Sequence, residues 1–87
     1  MRKERAMTKA NILATLAMEY KSAHIVYASM EKQAKEAIAK GDTTAYETAK
    51  KRAASRAFTL HGIKRAAIAL GIGEAEFMDA VTYLLNN

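Results

Sequence analysis

From Leu13 onward, apolar side chains recur at alternating steps of three and four residues: Leu13, Leu16, Tyr20, Ala23, Tyr27, Met30, Ala34 and Ala37. A second series does the same through Tyr46, Ala49, Ala53, Arg56, Leu60, Ile63, Ala67 and Leu70, with Arg56 its one charged member. Three-four alternation returns side chains to one face of a helix and is the spacing of a coiled-coil seam. The chain has no proline, and its four glycines fall at Gly41, Gly62, Gly71 and Gly73, with strong helix formers between them. The pattern predicts a first helix over residues 8–40, with Thr8 as its cap and Gly41 as its stop. A second helix is expected over 45–70, with Thr44 and Glu47 matching the capping box. Gly71-Ile72-Gly73 breaks it. A third helix is expected over 74–85, its acids suited to the positive end of the helix dipole.

A hairpin must also keep its two arms in register. Folding at residues 41–43 sets Ala37 against Tyr46, Ala34 against Ala49, Met30 against Ala53 and Tyr27 against Arg56. The layers continue as Ala23–Leu60, Tyr20–Ile63, Leu16–Ala67 and Leu13–Leu70, and the residue numbers of every layer share one sum. Several layers place a large side chain against a small one, which lets the helix backbones approach. The expected fold is therefore all-α: one domain over residues 1–87, built as a long antiparallel, coiled-coil-like hairpin with a short C-terminal helix.

Composition narrows the class. The 87 residues are 51% hydrophobic, but many of these are alanines that bury little area. Chains this small often need tight helix packing or a partner subunit. There is no cysteine, which excludes disulfide and thiolate chemistry. No apolar run approaches the roughly 20 residues of a membrane span. The basic start is a poor signal peptide, because Lys9, Glu19 and Lys21 interrupt the apolar positions behind it. A cytoplasmic, soluble protein is the default expectation.

Charge and off-seam apolar residues supply the candidate surfaces. Residues 1–41 carry eight basic and four acidic side chains, residues 42–73 six and two, and residues 74–87 three acids and no base. On the second helix Lys50, Lys51, Arg52, Arg56, Lys64 and Arg65, with Tyr27 of the first, form a candidate phosphate or nucleic-acid contact: cations for phosphates and a ring for stacking. The same stripe also reads as a solvated helix face, the commoner case for such stripes. Arg56 has two readings, as a polar seam layer stacked on Tyr27 with its stem buried, or as a cation holding an anionic ligand in a helical groove. Ile12, Ile25, Val26 and Phe58 lie off the seam. They exceed what one short helix covers, which makes them a candidate oligomer or partner face.

No nucleophile elbow, phosphate-binding loop, dinucleotide loop or HExxH is present. His24 flanks the seam, His61 points away from it, and neither has metal-ligand spacing. No catalytic, cofactor or metal site is expected. The stretch Ala66-Ala67-x-x-Leu70-Gly71-Ile72-x-x-x-x-Phe77 resembles the first helix and turn of a helix-turn-helix. It departs from that motif in its second helix, GEAEFMDAVTYLLNN, which has three acids and no base to set against DNA. The expected function is a non-enzymatic helical binding, adaptor or inhibitor module that self-associates and acts on a protein partner. Phage and mobile-element proteins of this size often act in that way on larger machines. The alternative is a nucleic-acid or nucleotide binder using the basic second helix.

Overall fold

The computed structural model describes residues 8–87; the basic start at residues 1–7 lies outside the described residues. Among the described residues three helices form: α1 (Lys9–Ala39), α2 (Thr43–Ala69) and α3 (Glu74–Leu85). Each boundary has a local cause. Thr8 Oγ1 accepts a hydrogen bond from the Asn11 N–H at 3.1 Å, which satisfies one of the free donors of the first turn. α1 stops at Gly41, whose φ of +73° lies in the left-handed region. There the Asp42 N–H donates to the Ala37 carbonyl at 2.9 Å and the Gly41 N–H to the Ile38 carbonyl at 3.1 Å, the paired bonds of a Schellman turn.

Asp42 then caps α2, its Oδ1 accepting from the Ala45 N–H at 3.0 Å. α2 consequently begins at Thr43, two residues earlier than expected, and the Thr44–Glu47 capping box does not form. A carboxylate directly after the turn is a stronger acceptor for the helix dipole than a hydroxyl two residues later. The second Schellman turn is at Gly71 (φ +91°), with the Ile72 N–H donating to the Ala67 carbonyl and the Gly71 N–H to the Ile68 carbonyl, both at 3.0 Å. α3 enters from Gly73 without a side-chain cap and carries Glu74 and Glu76 in its first turn.

α1 and α2 pack together as the two arms of the expected hairpin. Contacts gather into two compact units. One takes in α1 as far as Lys21, α2 from Ile63, and all of α3; the other is Ser22–Gly62. The Ser22–Gly62 unit buries Ala23, Ala34, Ala37, Ala49, Ala53 and Leu60, all seam positions, with Tyr27, Met30 and Tyr46 half-buried. Five of its six buried side chains are alanines, so close approach of the two backbones is what excludes water there.

The unit containing α3 has the large core side chains. Phe77, Ile72 and Val81 are buried with Ala17 and Ala67, and Ile12, Leu13, Leu16, Tyr20, Ile63, Met78 and Leu84 pack around them. Tyr20 meets Phe77 edge-to-face, with ring centroids 5.5 Å apart. Two seam assignments change. Leu70 is 58% exposed instead of facing Leu13, because α2 ends at Ala69 and the Schellman turn brings Ile72 inward, to 1% exposure. Ala17, one step off the counted seam, is fully buried.

Core substitutions should separate the two packing modes. Phe77→Ala is expected to cost about 3–5 kcal/mol and Leu60→Ala about 2–4 kcal/mol. Ala53→Leu adds bulk between two close backbones and is expected to cost about 1–3 kcal/mol. Urea unfolding followed by circular dichroism checks all three; an unchanged midpoint for Ala53→Leu would mean the alanine seam is not close-packed.

Candidate interaction surfaces

The basic side chains of α2 divide according to their partners. Lys50 Nζ lies 3.3 Å from Glu31 Oε2 across the hairpin, and Lys64 Nζ lies 3.4 Å from Glu74 Oε2 of α3. Lys9 pairs with Glu76 at 3.4 Å. Lys51, Arg52, Arg56 and Arg65 are exposed and make no ion pair or hydrogen bond among the described residues. The stripe expected to present six cations thus has two engaged within the chain.

Arg52 and Arg56 stand one helical turn apart and share a face. With Ser55 they line a shallow pocket of about 370 Å³ whose other wall is Val26 and Met30 of α1. Arg56 is solvent-exposed and no cation–π pair forms among the described residues, so the expected stacking of Arg56 on Tyr27 is absent. Tyr27 is half-buried and turns its ring toward His24, 6.4 Å away. A guanidinium at a seam position of an exposed hairpin reaches water by extending along the groove instead of burying its charge. Sequence reading assigned Arg56 and Val26 separately to a basic stripe and an apolar face; the structure brings them into one pocket. It missed Met30 and Ser55, although Ser55 and Arg52 lie three apart and therefore on one side of the helix.

The expected apolar face is dispersed. Ile12 packs, partly buried, against the core cluster beneath α3. Val26 is half-buried in the Arg52–Arg56 pocket. Ile25 and Phe58 are 52% and 81% exposed. Both fall on the outward position of their heptads, on the far sides of their respective helices from the seam. In the unit containing α3, a second concavity of about 450 Å³ is lined by Leu13, Ala14, Ala17, Met18, Tyr83 and Leu84, among others, and is almost wholly apolar.

Comparison with protein-family models, with curated proteins and with solved structures gave no match. His24 is half-buried and His61 exposed, and no group of three or more His, Asp or Glu side chains among the described residues is placed to hold a metal ion. No helix among the described residues is long and apolar enough to cross a membrane.

The Lys50–Glu31 pair offers a check on this division of charge. Its side chains are 45% and 31% exposed, so solvent screens it. Glu31→Gln is expected to change stability by less than about 1 kcal/mol. It should also raise the salt concentration needed to elute the protein from immobilised heparin, since a freed Lys50 joins the unpaired Lys51, Arg52, Arg56 and Arg65. An equal shift from Glu36→Gln, which removes the same charge from an acid unpaired among the described residues, would show that Lys50 is not held by Glu31 in solution.

Proposed function

We propose that this chain is a non-enzymatic helical binding module that self-associates and acts through protein–protein contacts. The observation that carries this reading is the amount of large apolar surface left outside the core: Phe58 at 81%, Leu70 at 58%, Ile25 at 52% and Met18 at 49% exposure, in a chain of 87 residues. Single exposed apolar residues are ordinary, but several on a chain with so few large core side chains match a protein that completes its burial against a partner.

Nucleic-acid or nucleotide binding is the second reading. It draws on the unpaired Lys51, Arg52, Arg56 and Arg65. Against it stand the engagement of Lys50 and Lys64 with acids, and a tyrosine turned toward His24 instead of offered to a base. The acidic α3 places no cation after the turn of the helix-turn-helix-like stretch.

Sedimentation equilibrium of the full chain, from micromolar to about millimolar concentration, tests the reading. Reversible association is expected. Phe58→Ser is expected to change unfolding free energy by no more than about 0.5 kcal/mol, because it touches no core, while weakening association. A protein that remains monomeric throughout that range overturns the proposal.

A further inference from the structure

We infer that the Arg52–Arg56 pocket receives the exposed face of α3 from a second copy of this chain, with Asp79 meeting the guanidinium groups and Tyr83 covering Val26 and Met30. The inference rests on the self-association proposed above and adds to its exposed apolar residues one charged contact that orients the two copies.

The pocket defines its occupant. Two guanidinium groups without acidic partners, one turn apart, form a pair of donors suited to a carboxylate. Val26 and Met30 give the same pocket an apolar wall, and Ser55 adds a hydroxyl. An occupant must therefore bring an anion and an apolar or aromatic body about one helical turn apart. Bare phosphate satisfies only the first half of that requirement.

α3 carries the complementary pair. Its buried side holds Phe77 and Val81. Its opposite side presents Asp79, Thr82 and Asn86, all exposed, with the exposed Tyr83 beside them at the edge where it also lines the apolar concavity against α1. Glu74 and Glu76 are engaged with Lys64 and Lys9, whereas Asp79 makes no ion pair or hydrogen bond among the described residues. Tyr83, 66% exposed, follows Asp79 by one turn. Its ring can cover the apolar wall while its hydroxyl stays in water or meets the second arginine. An unpaired acid with an aromatic thus matches unpaired arginines with an apolar wall. The charge distribution points the same way, with net +4 over residues 42–73 and −3 over residues 74–87. Two such contacts related by a two-fold axis would form a closed dimer.

Charge exchange in the full-length chain tests this. The variants are R52E/R56E and D79K, with R52Q/R56Q and D79N as neutral counterparts. All alter exposed side chains, and far-UV circular dichroism with thermal unfolding verifies the fold. Wild-type association is expected to weaken by about tenfold between 50 and 500 mM NaCl, because exposed charges are screened. Each charge-reversed variant alone should lose association by about tenfold or more, since like charges then meet in both contacts of a dimer. An equimolar mixture of R52E/R56E and D79K should recover near-wild-type association as heterodimers, because both contacts are then complementary. Tyr83→Ser should weaken association at both salt concentrations. Association indifferent to every charge variant overturns this inference and leaves self-association through another face standing. A wild-type protein that stays monomeric overturns both. So does a monomeric wild type that binds a fluorescein-labelled 16-nucleotide DNA or RNA through Arg52 and Arg56, which would make nucleic acid the occupant.

Discussion

The hairpin depends on small side chains along its seam. In the Ser22–Gly62 unit five of six buried side chains are alanine, and a seam of alanines is stable only if the two backbones lie close enough to exclude water between them. Each alanine removes little apolar area, so hydrophobic stabilisation per layer is small and dispersion between close backbones carries more of it. Any bulky substitution there forces the arms apart over more than one layer, because a rigid helix cannot yield at a single residue. Leu60 is the one large side chain buried in this unit, and Ile25, Ile38 and Phe58, which lie off the seam, stand outward.

The unit containing α3 uses another solution. Phe77, Ile72 and Val81 provide volume, and Ala17 and Ala67 provide the flat bed on which it rests. Gly71 makes this arrangement available. Its left-handed backbone reverses the chain within two residues and directs Ile72 inward, so that the residue after a helix stop becomes a core residue. A side chain at position 71 would meet no neighbour within 4 Å, so the glycine is required by backbone conformation and not by crowding.

Much of the architecture was legible from residue spacing. The three helices, the glycine stops and the identity of Ala23, Ala34, Ala37, Ala49, Ala53, Leu60 and Ala67 as buried seam members all follow from a heptad count constrained by one fold point. The count failed where something other than the opposing arm determined burial. Ala17 sits at a flanking position and is buried by α3, which a two-helix register does not contain. Leu70 continues the period one step past the end of α2 at Ala69 and so leaves the seam. Thr44 and Glu47 satisfy the capping-box pattern, but the geometry of the preceding turn places the Asp42 carboxylate first.

The charged surface was less legible, since it depends on cross-helix pairs and a helix count sees each arm alone. Glu31 and Lys50 are 19 residues apart, yet their numbers sum to 81, two short of the value shared by the seam layers, which places them beside each other on one edge. Applying the register to charges as well as to apolar residues therefore identifies which cations are already engaged. The remaining exposed cations have a limited energetic reach. Two unit charges 4 Å apart in water interact by only about 1 kcal/mol, so Arg52 and Arg56 alone cannot hold a partner tightly. Such groups act mainly by selecting and orienting what approaches, while affinity comes from apolar area covered afterwards. Val26 and Met30 beside the arginines supply both functions within one pocket, an arrangement suited to a partner helix that carries acid and aromatic together. A bare polyanion would use the arginines and leave the apolar wall wet.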